Sequence, residues 1–165
     1  GIEQFYRDNR ITPIYEGTNS VQAADLVFRK LINKNGDVID KYLKLVKEEI
    51  NIKEERAQPF VKQLHYHLGI LSKFTDWIKE KIKNSPEDAS GACNDYLKVL
   101  GLVATGHAWL KVLEVSFKEY DSNKDFYEDK IQTANFFYNR ILPRIDSNYI
   151  TATTGSNYIM NYKFN

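Results

Sequence analysis

The chain has 165 residues, 42% of them hydrophobic and 27% charged, enough for a sizeable core and too apolar for wholesale disorder. Lysine plus arginine number 23 against 22 acidic residues, a formal net charge of +1, which excludes a general electrostatic pull toward nucleic acid or an anionic membrane. The single cysteine, Cys93, excludes an internal disulfide framework and fits a reducing, cytoplasmic compartment.

No apolar run approaches the roughly 18 residues of a membrane span, and no signal peptide opens the chain. The first residue is Gly1 rather than methionine, so the chain reads as a processed or tagged product or a piece of a longer one. Only 4 prolines and 8 glycines punctuate it, and apolar residues recur at helical rather than alternating spacing. Residues 1–9 form a short amphipathic segment. Residues 10–19 form a loop, because Pro13 disfavours helix at Thr12 and Gly17 breaks any continuation. Asn19 with Gln22 three residues on predicts a capping box, opening a helix through Val21, Ala24, Leu26, Val27 and Leu31 to a stop at Asn35-Gly36.

Asp37 is the predicted cap of the next helix, which carries Val38, Tyr42, Leu45, Val46 and Ile50 to Ile52. From Pro59 a long amphipathic helix presents Phe60, Leu64, Leu68, Leu71, Thr75, Ile78 and Ile82, spaced by threes and fours. The clearest start signal is Asn84-Ser85-Pro86-Glu87-Asp88: a capping serine, proline at the first position, and acids at the positive end of the dipole. The helix it opens places Tyr96, Leu100, Val103, His107, Leu110 and Phe117 on one face. Ala92, Gly101, Ala104, Gly106 and Ala108 line the rest and would let a neighbouring helix approach. After a turn at Asp121-Ser122-Asn123, a last long helix starts near Lys124 and carries Phe126, Tyr127, Ile131, Ala134, Phe137, Tyr138 and Ile141, with Pro143 ending or kinking it. Thr151 to Ser156 read as loop, with a tail ordered only by docking. No repeat or low-complexity segment occurs. The fold class is all-α, an antiparallel helical bundle.

One segment carries chemistry. In Tyr15-Glu16-Gly17-Thr18-Asn19 a carboxylate lies beside a glycine that admits close approach to the backbone, just before a helix start whose free N–H groups attract anions. A general base at such a place suits an active site, although the same pattern also makes an ordinary loop before a cap.

The wider string, Glu3 to Gln22, reads Glu-Gln-Phe-Tyr-Arg-Asp-Asn-Arg-Ile-Thr-Pro-Ile-Tyr-Glu-Gly-Thr-Asn-Ser-Val-Gln. It resembles the last catalytic segment of the acyl-CoA dehydrogenases: Arg-Asp-x-x-Ile, then Ile-Tyr-Glu-Gly-Thr, two variable residues, an aliphatic and Gln. Ala24-Asp25-Leu26-Val27-Phe28-Arg29-Lys30-Leu31 continues as in many bacterial members. Residues 55–150 are similar to the extra C-terminal helical extension of one bacterial branch, through Asp95-Tyr96-Leu97 to Trp109 and Phe126-Tyr127, Ala134, Phe137-Tyr138 and Leu142-Pro143-Arg144.

The resemblance implies roles residue by residue. Glu16 would be the catalytic base that abstracts the α-proton of an acyl-CoA thioester while hydride leaves the β-carbon for the flavin of FAD. Its backbone N–H would help hold the developing enolate oxygen. Gly17 would contact substrate; Thr18, Asn19 and Ser20 would form the flavin-contacting turn, and Gln22 would assist there. The implied partners are an acyl-CoA substrate, an electron-transfer flavoprotein and a second copy in a homodimer. The family's enzymes are much longer, so residues 1–34 would close the catalytic helical bundle, 35–54 would connect, 55–150 would be the extension and 151–165 a tail. By this reading the chain alone is inactive.

Two other classes stand beside it: a non-catalytic oligomerisation or docking module in which Glu16 is a relic, and the family's DNA-damage-response branch, against which the near-zero net charge argues. His65 and His67, two apart on a helix, cannot share a metal and read as solvated or edge residues. His107 reads as a core histidine with a hydrogen-bond partner, Cys93 as a small buried hydrophobe, and Gly101 to Gly106 as helix packing, since no Lys-Ser/Thr follows as in a phosphate loop. The mixed charges of Lys47 to Arg56 and Lys79 to Lys83 read as a solvated face. No metal site is expected.

Overall fold

A computed structural model describes residues 2–14, 18–32 and 37–161. All regular structure among them is helical: α1 (Ile2–Asn9), α2 (Asn19–Asp25) running on into a π-helical turn at Leu26–Lys30, α3 (Asp37–Glu49), α4 (Gln58–Asn84), α5 (Pro86–Lys118), α6 (Lys124–Phe136) with a second π-helical turn at Phe137–Ile141, α7 (Arg144–Thr153) and α8 (Asn157–Met160).

The bundle follows from the stripe of α4. Phe60, Leu64, Leu68, Leu71, Thr75 and Ile78 are all buried, as their spacing predicts, and His67, Ile70 and Phe74 widen the face. With Ser85 alone between α4 and α5, α5 turns straight back along α4. Leu64 lies against Gly106, and Thr75 meets Tyr96, so the partner positions fall as the chain advances and the pair is antiparallel. The arm formed by α6, its π turn and α7 then runs back along α5, from Tyr138 against Gly106 to Ser156 against Asp88. α2 and α3 lie against α5 and α4.

Two buried tyrosines show how the core treats polar groups. The Tyr96 hydroxyl shares a 2.9 Å hydrogen bond with Thr75, and the Tyr138 hydroxyl donates to the Gly106 carbonyl at 2.7 Å. Each ring contributes roughly 2–3 kcal/mol of apolar burial while its polar tip stays satisfied. Phe74 sits edge-on to both Tyr96 and Tyr149, at 5.3 and 5.4 Å between centroids, joining α4, α5 and α7.

Several expectations need correction. The capping box does not form: α2 is preceded by Thr18, whose side chain makes no cap bond, and only its carbonyl accepts from Gln22 N–H. Val21 is 66% exposed, and the buried line of α2 is Ala23, Val27 and Leu31. In α3 the inward residues are Ile39 and Val46, while Val38 and Leu45 are exposed. Ser85 stands at the predicted start of α5 without a side-chain cap bond. The core face of α5 is Tyr96, Val99, Val103, Leu110, Leu113 and Phe117; Leu100 and His107 lie at its edge, and Phe126 of α6 is exposed.

Asn123, by contrast, does cap α6, accepting from Phe126 N–H at 3.3 Å. Thr151 to Thr153 complete α7 rather than a loop, and Gly155 at φ 84° makes the bend after it, a left-handed conformation that suits glycine. Contrary to the expectation that no long apolar run exists, α5 is long and apolar enough to cross a bilayer by length and composition. Here it is the axis of the bundle, with α2, α4, α6 and α7 packed on it. The Asn35-Gly36 stop lies outside the described residues.

Candidate functional site

The predicted site centres on the head of α2. Glu16 and Gly17 lie outside the described residues; Thr18, Asn19, Ser20 and Gln22 lie within them. The helix is seated on α5 by Ala23 and Val27, both fully buried, and by Leu31. That seating turns the other side outward, so Asn19, Ser20 and Gln22 are exposed and Thr18 is half-buried. Ser20 Oγ accepts a 3.2 Å hydrogen bond from Asn94 Nδ2 of α5, which fixes the helix head to the bundle.

The side chains of Thr18, Asn19 and Gln22 make no hydrogen bond to another described residue. Two amides and a hydroxyl are therefore available along one edge, the donor and acceptor set that a flavin's polar rim requires. The fit is to a rim only. None of the larger cavities among the described residues is lined by these four side chains. Ile11 and Ile14, in the turn after α1, are both exposed.

Elsewhere the structure assigns structural work to groups that sequence spacing leaves open. His65 is exposed, as expected of a solvated residue, but His67 is only 4% exposed. Its Nδ1 lies 2.8 Å from the Gln63 carbonyl and its Nε2 3.1 Å from Asp146 Oδ2. Tyr66 donates to the other oxygen of the same carboxylate at 2.9 Å, so the cluster buckles α4 to α7, and that hydrogen bond to Asp146, helped by the charge, pushes the Tyr66 phenol up. His107 Nε2 stands 2.9 Å from Glu49 Oε2 in a close contact whose geometry is not that of a hydrogen bond. Lys111, 3.2 Å from the same oxygen, is the main cause holding the Glu49 carboxyl below its ordinary range. Cys93 is buried and its thiol is pushed up by desolvation, an inert state.

Asp88 departs most from its expected role. Beyond its place in the first turn of α5, its Oδ1 accepts from both the backbone N–H and the hydroxyl of Ser156, each at 2.8 Å, and Lys81 Nζ lies 3.1 Å from Oδ2. Those bonds, led by the Ser156 backbone, hold the carboxyl far below the usual carboxylate range. Arg56, expected on a solvated face, donates to the Phe117 carbonyl at 3.0 Å and lies over that ring. Partners 61 and 68 residues away leave no local signal in the sequence.

A 3-methylmercaptopropionyl-CoA dehydrogenase of Ruegeria pomeroyi is 30% identical over 149 residues, 86% of this chain and 25% of that protein. A broad-specificity linear acyl-CoA dehydrogenase of Mycobacterium tuberculosis is 26% identical over 173 aligned positions, 96% of this chain and 28% of that protein. The chain thus spans about a quarter of the length of the curated relatives it matches. A family model described as "Acetyl-CoA dehydrogenase C-terminal like" matches residues 38–163, which take in the bundle built on α4 and α5. A helical module of this make-up, matched over most of its length, belongs to the acetyl-CoA dehydrogenase C-terminal-like family.

Proposed function

We propose that the chain is the C-terminal part of an FAD-dependent acyl-CoA dehydrogenase and contributes the base, Glu16, to α,β-dehydrogenation of an acyl-CoA thioester. The observation that carries this reading is the unbroken string from Arg7 to Gln22 ending at a helix head whose polar side chains face outward. Names of the two relatives, both acyl-CoA dehydrogenases, support the substrate class.

In this reading residues 1–34 close the catalytic bundle, 35–54 connect, and 55–150 form an extension. Support for that division is that the family match begins at residue 38 and that α1 buries no residue. Glu16 takes the α-proton onto its carboxylate, and its backbone N–H steadies the enolate oxygen that develops. Gly17 lets the thioester approach the backbone. Thr18, Asn19, Ser20 and Gln22 orient the flavin's rim, with Ser20 held in place by Asn94. The flavin, when bound, supplies the acceptor for the β-hydride. Electrons then pass to an electron-transfer flavoprotein, the parent works as a homodimer, and its location is cytoplasmic. The rest of the flavin and CoA pockets comes from segments outside this chain, so the chain alone does not turn over substrate.

A chimera tests this. The first three quarters of the Ruegeria relative, joined to this chain at the matching position, is expected to retain flavin and to bleach anaerobically with an acyl-CoA. Glu16→Gln in that chimera should keep the flavin and cut the bleaching rate by about 10²–10⁴. A flavin-loaded chimera that bleaches equally fast with the substitution would remove Glu16 from the mechanism and favour a docking module.

A further inference from the structure

We propose that the groove between α5 and α7 binds an organic phosphate, a phosphate monoester carried on a small apolar body. The groove has a volume of about 660 Å³, within the range of small-molecule pockets. Arg144, Ser147 and Asn148 of α7 line one side of it and Lys98 of α5 the other. Arg144, Ser147 and Lys98 are exposed, so a ligand in solution reaches them directly.

The sign of the ligand follows from the lining. Its two charged residues, Lys98 and Arg144, are both cations, and no carboxylate belongs to it. The one acid of α7, Asp146, is taken up by α4, with Tyr66 on Oδ1 and His67 Nε2 at Oδ2. Arg7, Arg29 and Arg56 each pair with an acid. Arg144 does not. Its guanidinium makes no hydrogen bond or ion pair with another described residue, and the side chains of Ser147 and Asn148 make none either. Lys98 does have a neighbour, Asp95, at 3.4 Å. Its side chain is nonetheless 61% exposed, and a solvent-screened pair within one helix holds weakly.

Donor count and shape narrow the class. The Arg144 fork presents paired N–H groups that a phosphate takes two at a time. The Ser147 hydroxyl, the Asn148 amide and the Lys98 ammonium can add donors around it. A carboxylate has two oxygens to share among these four groups; a phosphate monoester has three terminal oxygens and up to twice the charge. Leu102 and Ile141, both half-buried, give the groove an apolar side. At Gly101 even a Cβ would meet nothing within 4 Å, which leaves room for an organic body beside the phosphate. None of these residues belongs to the string from Arg7 to Gln22, so this site and the role of Glu16 stand or fall separately.

The test is calorimetric titration of the full 165-residue chain at fixed ionic strength with phenyl phosphate, alongside benzoate and inorganic phosphate. Phenyl phosphate is expected to saturate one site, about tenfold more tightly than benzoate and severalfold more tightly than inorganic phosphate. Arg144→Gln should weaken it about tenfold and Lys98→Gln severalfold. Neither should alter the melting curve, because both side chains are exposed. Lys118→Gln removes the same charge from an exposed position on α5 outside the groove, and should leave binding unchanged. Absence of saturable binding overturns the proposal, as does binding that Arg144→Gln leaves intact. Equal losses with Lys118→Gln and Arg144→Gln would mean diffuse attraction and overturn it too. Benzoate binding as tightly as phenyl phosphate would give the groove to carboxylates, and inorganic phosphate binding as tightly would give it to the free ion; either result overturns the assignment to an organic phosphate.

Discussion

The bundle and the N-terminal helix use the same kind of residue to opposite ends. In the bundle Tyr138 is fully buried, its ring edge-on to Phe60 at 5.1 Å and its hydroxyl bonded to Gly106. In α1 Phe5 and Tyr6 are 77% and 69% exposed, and no residue of that helix is buried. Both segments are amphipathic. The difference is that α4 finds α5 one residue away across a tight turn, whereas α1 has no apolar counterpart among the described residues. Amphipathic spacing announces a surface that wants covering; it does not supply the cover. The bundle therefore holds itself, and among the described residues the helix head of the proposed site is held through α2 on α5.

The sharpest way to break that comparison is to overfill the bundle where it is closest. A Cβ on Gly106 would already stand 3.1 Å from Leu64 Cδ1 and 3.3 Å from Leu142 Cδ1. Gly106→Val, with two further methyl groups, is expected to cost about 3 kcal/mol in urea unfolding. Gly101, on the same helix, has nothing within 4 Å of that position, so Gly101→Ala should instead stabilise by about 0.5–1 kcal/mol. Equal effects at the two glycines would mean that α5 does not lie between α4 and the α6–α7 arm as described.

Alkaline titration reads the same core through its phenols. Burial is the chief cause that pushes Tyr96 from 10.0 up to about 12, so the folded state resists losing a proton that the unfolded chain gives up earlier. Stability is then full below the unfolded value and falls as pH rises from about 10 through 12, by about 2 kcal/mol. Tyr96→Phe should make that limb shallower, leaving the share of buried Tyr138, whose phenol is also pushed up by desolvation. Asp88 works in the other direction. Its carboxyl is depressed, so its contribution is present at neutral pH and fades as pH drops below the ordinary carboxylate range. Asp88→Asn should flatten the acid limb and loosen the segment around Ser156 toward proteolysis. A smaller loss, about 1–2 kcal/mol, is expected for Tyr138→Phe, which leaves the ring in place and removes only the bond to Gly106.

Much of this was legible in the sequence, and what was not has a common cause. The stripe of α4, the start of α5 at Pro86 and the start of α6 at Lys124 are local facts, set by residues within one turn of each other, and the structure shows them where spacing placed them. The two π-helical turns are not local in that sense. Nothing in Leu26 to Lys30 or Phe137 to Ile141 demands an extra residue per turn; the widened turns let Val27 and Phe137 face a neighbour that periodicity alone cannot see. Gly101 and Gly106 of α5 look alike in sequence, yet Gly106 packs under Leu64 and Gly101 faces open space. For the site, the Glu-Gly-Thr string was readable as chemistry, but the seating of its helix on α5 through Asn94 and the buried line Ala23, Val27, Leu31 was not, because that contact lies 74 residues away.

The smallest expected effect is the one that sharpens the comparison most. Phe5→Ser removes a large apolar side chain from α1, and because that side chain is 77% exposed the stability of this chain should change by no more than about 0.5 kcal/mol. Val27→Ala removes less volume from α2, but from a fully buried position, and should cost about 1–2 kcal/mol. The pair separates covering from composition. A large loss with Phe5→Ser would place α1 against the bundle and dissolve the contrast between a self-held module and an unpartnered helix. If the ordering holds, the same Phe5→Ser substitution carried into the chimera with the Ruegeria relative becomes informative. There, on the proposed function, it should lower the melting temperature of the flavin-loaded protein although it leaves the isolated chain untouched, because the upstream part of the parent would cover α1.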